Sequence, residues 1–152
     1  MYIQDNNRRF PPVPPPQDPA DPSSGPDGSE GWALAVADTL KNDTIFQCPS
    51  EGEPINKGFT DYWLNGDLQG ISDVRLRTPT SVIMVGDGVA NSVDYAVGPN
   101  VVEPWASTDS FTTRHLGGAN YAFADGHVKW LLPDKISLNA DPTGANFTFV
   151  IR

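Results

Sequence analysis

Residues 114–131, which read RHLGGANYAFADGHVKWL, decide the fold. Asp125-Gly126 lies between two runs of strand-forming residues. This is a strong signal for a β-hairpin, because Asp and Gly tolerate the positive φ that both central residues of a type I′ turn require. The pattern therefore predicts a two-residue turn at Asp125-Gly126, with Tyr121 opposite Trp130 across the hairpin.

This register assigns the hairpin side chains to two faces, since successive side chains of a strand point to opposite sides. The predicted apolar face holds Tyr121, Phe123, Val128 and Trp130. The predicted solvent face holds Asn120, His127 and Lys129. We therefore expect one face of the hairpin, including Trp130, to belong to the core.

Further strands are predicted on both sides of the hairpin. The apolar run from Ser81 to Val85 indicates a buried central strand that ends in a tight turn at Gly86-Asp87-Gly88. Asn65-Gly66 is a second hairpin-type dipeptide. Weaker strand patterns occur at residues 59–64, at residues 71–76, around Tyr95 and at residues 146–152. In the last of these, the apolar face holds Phe147, Phe149 and Ile151.

One helix is predicted, from about Glu30 to Lys41, with Ser29 as its N-cap. Its stripe of Trp32, Val36 and Leu40 is expected to pack on the sheet. Before it, most of the 15 prolines lie between residues 10 and 31, where they favour an extended chain. The fold class is therefore α+β: a Pro-rich extended arm over residues 1–28, then a domain over residues 29–152 with one helix on a mainly antiparallel sheet and a C-terminal β-hairpin.

Charge limits the partners. Ten Lys and Arg against 19 Asp and Glu give a formal net charge of −9. This balance argues against nucleic acid, which needs basic patches, and favours hard cations as charged ligands. No apolar run approaches the length that spans a bilayer, so no membrane span is expected in this chain.

The spacing of His115, nine further residues and then Asp125-Gly126 resembles the signature of the prepilin-type "H-X9-DG" proteins, which are type IV pilin-like and pseudopilin-like bacterial proteins. Four segments that precede His115 occur in the same order as in the family: residues 2–12, 32–50, 62–66 and 78–88. The family's N-terminal cleavage motif and long apolar helix are absent, and the chain begins about where that helix should end.

The resemblance implies a pilin-like globular fold in an exported protein, displayed outside the bacterial cell or on its surface. It implies a structural subunit of an extracellular filament or of a type II secretion or type IV pilus-like apparatus. The partners would be further copies, as a homopolymer, or other pilin-like subunits. One route to assembly is an arm, residues 1–28, that docks on an adjacent subunit, whose C-terminal strand offers an open edge.

The two histidines have plain structural interpretations. His115 precedes Gly117-Gly118, which lets its ring fold back and hydrogen-bond Asp125 or a backbone carbonyl. His127 is expected on the solvent face. The residues assigned structural roles in the motif are His115, Gly117, Gly118, Asp125, Gly126 and Trp130.

No enzyme is predicted, because the sequence has no nucleophile elbow, no HExxH and no phosphate-binding glycine loop. A hydrolase that depends on His115 remains a third alternative. Cys48 is the single cysteine, with no second Cys or His at ligand spacing, and is expected to be a small buried hydrophobe.

The alternative function is a secreted module that binds calcium or glycan. Calcium takes carboxylate and carbonyl oxygens from loops, so Asp87 and Asp125 are the predicted ligands. A glycan would stack on an exposed Trp63 or Trp105. Two Asn-x-Thr sequons, at Asn42 and Asn146, are glycosylation acceptors only in a suitable host.

Overall fold

The computed structural model describes residues 2–12, 31–52, 59–93, 96–97, 113–137, 147–148 and 151. The α-helices of this part are α1 (Tyr2–Asp5) and α2 (Gly31–Leu40). Its strands are β1 (Phe59–Asn65), β2 (Ile83–Val93), β3 (Ala96–Val97), β4 (Ala119–Phe123), β5 (Val128–Leu131), β6 (Ile136–Ser137) and β7 (Phe147–Thr148). Short 3-10 helices cover Asp43–Phe46, Gly66–Leu68, Asp73–Arg75 and Pro133–Lys135. Within the described ranges no helix is long and apolar enough to cross a membrane.

The main sheet has the strand order β3-β1-β2-β4-β5. The pairs β1–β2, β2–β4 and β4–β5 are antiparallel, and β3 joins β1 in parallel. A separate parallel pair is formed by β6 and β7. The predicted α+β class with a mainly antiparallel sheet is therefore confirmed, and β2 is the predicted central strand.

Strand β2 continues through the glycines at which the sequence predicts its end. The strand continues through Gly86-Asp87-Gly88 to Val93. A Cβ atom on Gly86 would lie 2.6 Å from Cζ2 of Trp63 and 2.8 Å from the ring of Tyr121. Gly86 is therefore required because two aromatic rings cross the strand at that point, and the prediction that the strand ends at these residues is wrong.

The hairpin exists, but its predicted register is wrong by one residue. Tyr121 pairs with Lys129, and Asn120 pairs with Trp130. The amide of Gly126, whose φ is +95°, donates to the carbonyl of Phe123 over 2.8 Å. The connection is therefore a three-residue loop that ends in a left-handed glycine, an alternative that Asp-Gly serves equally well.

A one-residue shift moves every side chain of a strand to the other face. Tyr121 and Phe123 are buried as predicted, whereas Val128 is 66% and Trp130 45% exposed. The core residue that β5 supplies is Leu131, at 4% exposure. Trp130 is therefore a partly exposed side chain on an outer strand of the sheet.

Two further turn and strand predictions are corrected. Asn65-Gly66 makes no hairpin. The buried Asn65 side chain donates to the carbonyl of Ile83 over 2.8 Å, and it accepts from the amide of Asp67 as the N-cap of the 3-10 helix Gly66–Leu68. Residues 71–76 hold a 3-10 helix instead of a strand. Tyr95 lies outside the described residues, next to the two-residue strand β3.

The bounds of helix α2 lie within one residue of the predicted bounds at each end. Lys41, with φ of +54°, follows its last residue and ends it in the left-handed conformation common at helix C-termini. Trp32 and Val36 are buried in a cluster with Phe46 and Leu64. Leu40, which is predicted on the same stripe, is 42% exposed. Ser29, the predicted N-cap, lies outside the described residues.

The first part of the predicted arm packs on its own chain. Phe10 is fully buried beside Leu68 and Val82. The guanidinium of Arg8 binds the carboxylate of Asp73 through contacts of 3.0 to 3.2 Å. This part of the predicted arm therefore contacts its own chain, and residues 13–28 of the arm lie outside the described residues.

The C-terminal strand is described at Phe147 and Thr148. The ring of Phe147 packs edge-on against Phe123, with centroids 5.0 Å apart. The amide of Thr148 donates to the carbonyl of Ser81 over 2.9 Å, and Thr148 is buried although its alternation predicts a polar face. The C-terminal strand is therefore bonded to the residues just before β2, and β7 pairs with β6.

Candidate functional site

Three side chains that are far apart in sequence meet beside the sheet: Cys48, Asp87 and His115. Sγ of Cys48 lies 3.6 Å from Nε2 of His115. The same nitrogen lies 3.3 Å from Oδ2 and 3.4 Å from Oδ1 of Asp87. One donor atom from each residue falls within 4.8 Å of the other two. We call these three residues the Cys-Asp-His cluster.

Cys48 is held by its backbone. It follows the 3-10 helix Asp43–Phe46, and its amide donates to Oδ2 of Asp61 over 2.7 Å. Both Cys48 and Asp61 are 1% exposed. The prediction that Cys48 is buried is confirmed, and its thiol faces polar groups.

Asp87 lies on the central strand β2, between the two glycines that are predicted to end it. Its Oδ2 accepts from the amide of Asn120 over 2.8 Å, across the junction with β4. Asp87 is 1% exposed. Its carboxylate is therefore fixed from both strands and points toward the loop that carries His115.

The loop before β4 presents the imidazole of His115. The amide of His115 donates to the carbonyl of Gly118 over 2.9 Å, and Gly117 has φ of +84°. A Cβ atom on Gly118 would lie 2.5 Å from the carbonyl oxygen of Leu131 and 2.7 Å from the Trp130 ring. The predicted structural roles of the two glycines thus have a physical basis in a tight turn under β5.

The predicted partner of the His115 ring is wrong. The ring contacts Asp87, and Asp125 instead lies 2.6 Å from Nδ1 of His127. His115 does reach the hairpin through its backbone, because its carbonyl accepts from Nε1 of Trp130 over 2.7 Å. The backbone of His115 therefore links the loop before β4 to β5, and the His115 ring contacts the other two residues of the cluster.

The nitrogens of His115 have different neighbours. Nδ1 lies 3.5 Å from Oγ of Ser50, whereas Nε2 faces both Cys48 and Asp87. In a nucleophilic triad the acid and the nucleophile occupy opposite nitrogens of the imidazole. Here they share one nitrogen, so the observed geometry is not that of a proton relay.

The surroundings of the cluster are negative. Arg114 binds Oε1 of Glu51 over 2.7 Å and the carbonyl of Gly88 over 2.8 Å, and its Nη1 is 3.8 Å from Oδ1 of Asp87. Burial raises the pKa of Tyr62 to about 12, and the charges of Cys48, Asp87 and Asp61 add to the effect. Burial, followed by the charge of Asp87, likewise raises the pKa of Tyr121.

The predicted calcium ligands belong to different clusters. Asp87 is in the Cys-Asp-His cluster, whereas Asp125 is in the hairpin loop. Partial burial by itself would raise the pKa of Asp125, but hydrogen bonds from the His127 side chain and amide lower it overall. The structure therefore does not bring together the pair of carboxylates on which the calcium prediction depends.

The other predicted ligand residues have ordinary environments or lie outside the described residues. Trp63 is 6% exposed and packs with Tyr121, which removes it as a glycan platform. Asn42 is exposed, and its Oδ1 accepts from the amide and hydroxyl of Thr44 as a 3-10 N-cap. Trp105 and Asn146 are outside the described part of the chain.

Sequence reasoning missed the Cys-Asp-His cluster as a unit. Cys48 and His115 are 67 residues apart, and Asp87 is 28 residues from His115. Spacing rules for metal or catalytic sites act over short distances, so no local pattern marks this set.

Comparisons with protein-family models, with curated proteins and with solved structures found no match to this chain.

Proposed function

We propose that this chain is a structural subunit of an extracellular filament or of a type II secretion or type IV pilus-like apparatus, and that its function is assembly. A pilin-like fold and export to the cell surface are parts of the same proposal. They are supported by the resemblance that begins at His115 and Asp125-Gly126. The observation that carries the assembly function is an exposed apolar row on the outer strand β5.

The apolar row consists of Val128 and Trp130 on β5, which the sequence predicts in the core, and of Leu132 directly after the strand. Val128 is 66%, Trp130 45% and Leu132 39% exposed. Leu116, in the loop next to them, is 97% exposed. Exposed apolar side chains grouped along one strand favour an interaction site, and an outer strand of the described sheet adds backbone groups that can pair with another chain.

The side chain of Trp130 is held in one orientation by its neighbours. Its indole nitrogen donates to the His115 carbonyl, and its ring lies over Gly118, where any Cβ would collide with it. A rigid aromatic side chain loses little entropy on binding and is a frequent anchor of interfaces. In this proposal the tight turn of the loop serves to present Trp130, and the partner is a second copy of the chain.

Charge gives the proposal a second signature. A net charge of −9 opposes association between identical chains. Salt screens such repulsion beyond about 10 Å at 0.1 M ionic strength. We therefore expect association through the apolar row to strengthen as salt is added, whereas association through ion pairs would weaken.

Sedimentation velocity over a range of protein concentrations tests this. Val128→Lys places a charge in the apolar row, and Val74→Lys is its control because Val74 is 65% exposed on the 3-10 helix Asp73–Arg75. Wild type and Val74→Lys should associate as concentration rises, while Val128→Lys stays monomeric with an unchanged circular dichroism spectrum. A wild-type chain that is monomeric at every concentration and salt contradicts the proposal, as does equal association of both variants.

A further inference from the structure

We propose that the Cys-Asp-His cluster binds a divalent transition metal of the zinc class, through Sγ of Cys48, Nε2 of His115 and a carboxylate oxygen of Asp87. This site is separate from the assembly surface on β5. It would join the segment after the first 3-10 helix, the central strand β2 and the loop before β4.

The distances between donor atoms fit a tetrahedral ion. With Zn–S about 2.3 Å and Zn–N or Zn–O about 2.0 to 2.1 Å, tetrahedral angles place S and N about 3.5 Å apart, and N and O about 3.3 Å apart. The observed separations are 3.6 Å between Sγ and Nε2, and 3.3 and 3.4 Å between Nε2 and the two Asp87 oxygens. Two of the three edges therefore have the lengths of a zinc site, and the third, between Sγ of Cys48 and the Asp87 carboxylate, is within 4.8 Å.

The donor types select the metal. Calcium and magnesium take oxygen ligands, whereas a thiolate and an imidazole suit zinc and its neighbours in the first transition row. Three protein donors leave the fourth tetrahedral position to water. Water would reach the metal position from the side of His115, because the His115 side chain is 21% exposed and that of Asp87 is 1% exposed.

Each ligand is oriented by a further contact, as in known metal sites. Oγ of Ser50 is 3.5 Å from Nδ1 of His115. If that nitrogen carries the proton, the lone pair of Nε2 faces the metal position. The Asn120 amide fixes the Asp87 carboxylate over 2.8 Å, and Asp61 holds the Cys48 backbone over 2.7 Å.

Charge favours a cation at this place. Asp61 and Asp87 are both 1% exposed. The nearby cation, Arg114, also binds Glu51 over 2.7 Å. These four groups carry a net charge of −2 when ionised (three carboxylates and one guanidinium). Buried negative charge favours a nearby cation, and a divalent ion coordinated by Cys48 and Asp87 would add positive charge beside these groups.

Cobalt provides a direct test on the reduced, chelator-treated full chain. Co²⁺ in a tetrahedral site with a thiolate ligand gives a sulfur-to-metal charge-transfer band and intense visible bands. We expect the charge-transfer band and the visible bands to saturate at one equivalent of Co²⁺ per chain. They should disappear when Zn²⁺ is added, while Ca²⁺ has no effect. Failure of the folded wild-type chain to give the charge-transfer band, together with no heat on Zn²⁺ titration, would overturn the proposal.

Variants locate the ion. Cys48→Ser should abolish the charge-transfer band, and Asp87→Asn should weaken Zn²⁺ binding while its side-chain oxygen still accepts from the Asn120 amide. Ser50→Ala should weaken binding about 10- to 100-fold, the usual loss for a residue that orients a ligand. His127→Gln is the control and should bind as wild type. A charge-transfer band that persists in Cys48→Ser, or is lost in His127→Gln, would contradict the assignment.

Discussion

Gly86→Ala adds one methyl group at the place where two aromatic rings cross the central strand. The new Cβ would lie 2.6 Å from Cζ2 of Trp63 and 2.8 Å from Cδ1 and Cε1 of Tyr121. Carbon atoms in contact are normally about 3.5 to 4.0 Å apart, so the overlap is about 1 Å with each ring. Both rings are buried, at 6% and 1% exposure. Neither can move into solvent without opening the core.

The magnitude follows from two opposing effects. Overpacking a core costs about 1 to 3 kcal/mol, while replacing Gly by Ala in a strand returns about 0.5 to 1 kcal/mol of backbone entropy. Because the methyl group meets rings on two sides, we expect a net loss of about 1 to 2 kcal/mol. For a domain of this size each kcal/mol lowers Tm by about 2 to 4 °C.

Urea and thermal unfolding measure this loss, with Gly52→Ala as the control. Among the described residues, no atom lies within 4 Å of a Cβ on Gly52, so that variant should be as stable as wild type or slightly more stable. Equal unfolding midpoints for the two variants would show that the rings do not close over Gly86. The close approach of the two rings would then not be the reason that position 86 requires glycine.

Three further predictions concern the hairpin and the N-terminal segment. Leu131→Ala should lower the free energy of unfolding by about 2 to 5 kcal/mol as a large-to-small core change, whereas Val128→Ala should lower it much less. The reverse order of urea midpoints would support the two-residue turn and its register. The lowered pKa of Asp125 stabilises the folded state above the pKa of the unfolded carboxyl, and this contribution is lost as pH falls through the folded value. Asp125→Asn should therefore flatten the acid limb of a stability–pH curve, and an unchanged limb would show that the pair with His127 is not formed in solution. Phe10→Ala should cost about 3 to 5 kcal/mol, and wild-type stability would show that residues 2–12 do not pack on their own chain.

Much of the secondary structure is predictable because it depends on local patterns. Helix α2 follows from its apolar spacing, and the first part of β2 follows from an uninterrupted apolar run; the continuation of β2 from Gly86 to Val93 does not. The hairpin follows from Asp125-Gly126. Its register does not, because Asp-Gly suits both a two-residue turn and a three-residue loop with a left-handed glycine. The choice between them depends on whether Leu131 or Trp130 enters the core, which is a property of packing.

The Cys-Asp-His cluster is not predictable for a related reason. Asp87 stands out for its glycines, His115 for its spacing from Asp125, and Cys48 for having no second cysteine. Each of these features is local, whereas the cluster forms where a strand and two loops converge. The glycines at 86 and 118 are the nearest signals in the sequence, because each marks a close approach of aromatic rings. These glycines do not show which polar side chains lie close to one another near the rings.

Hydrogen–deuterium exchange at low and high protein concentration measures whether the chain assembles through β5. If a second copy covers the row of Val128, Trp130 and Leu132, peptides that span residues 127–132 will exchange more slowly at high concentration. Peptides from α2 will exchange at the same rate under both conditions, and Val128→Lys will remove the difference in β5. Exchange in residues 127–132 that is independent of concentration, in a chain whose sedimentation shows association, would contradict assembly through this strand.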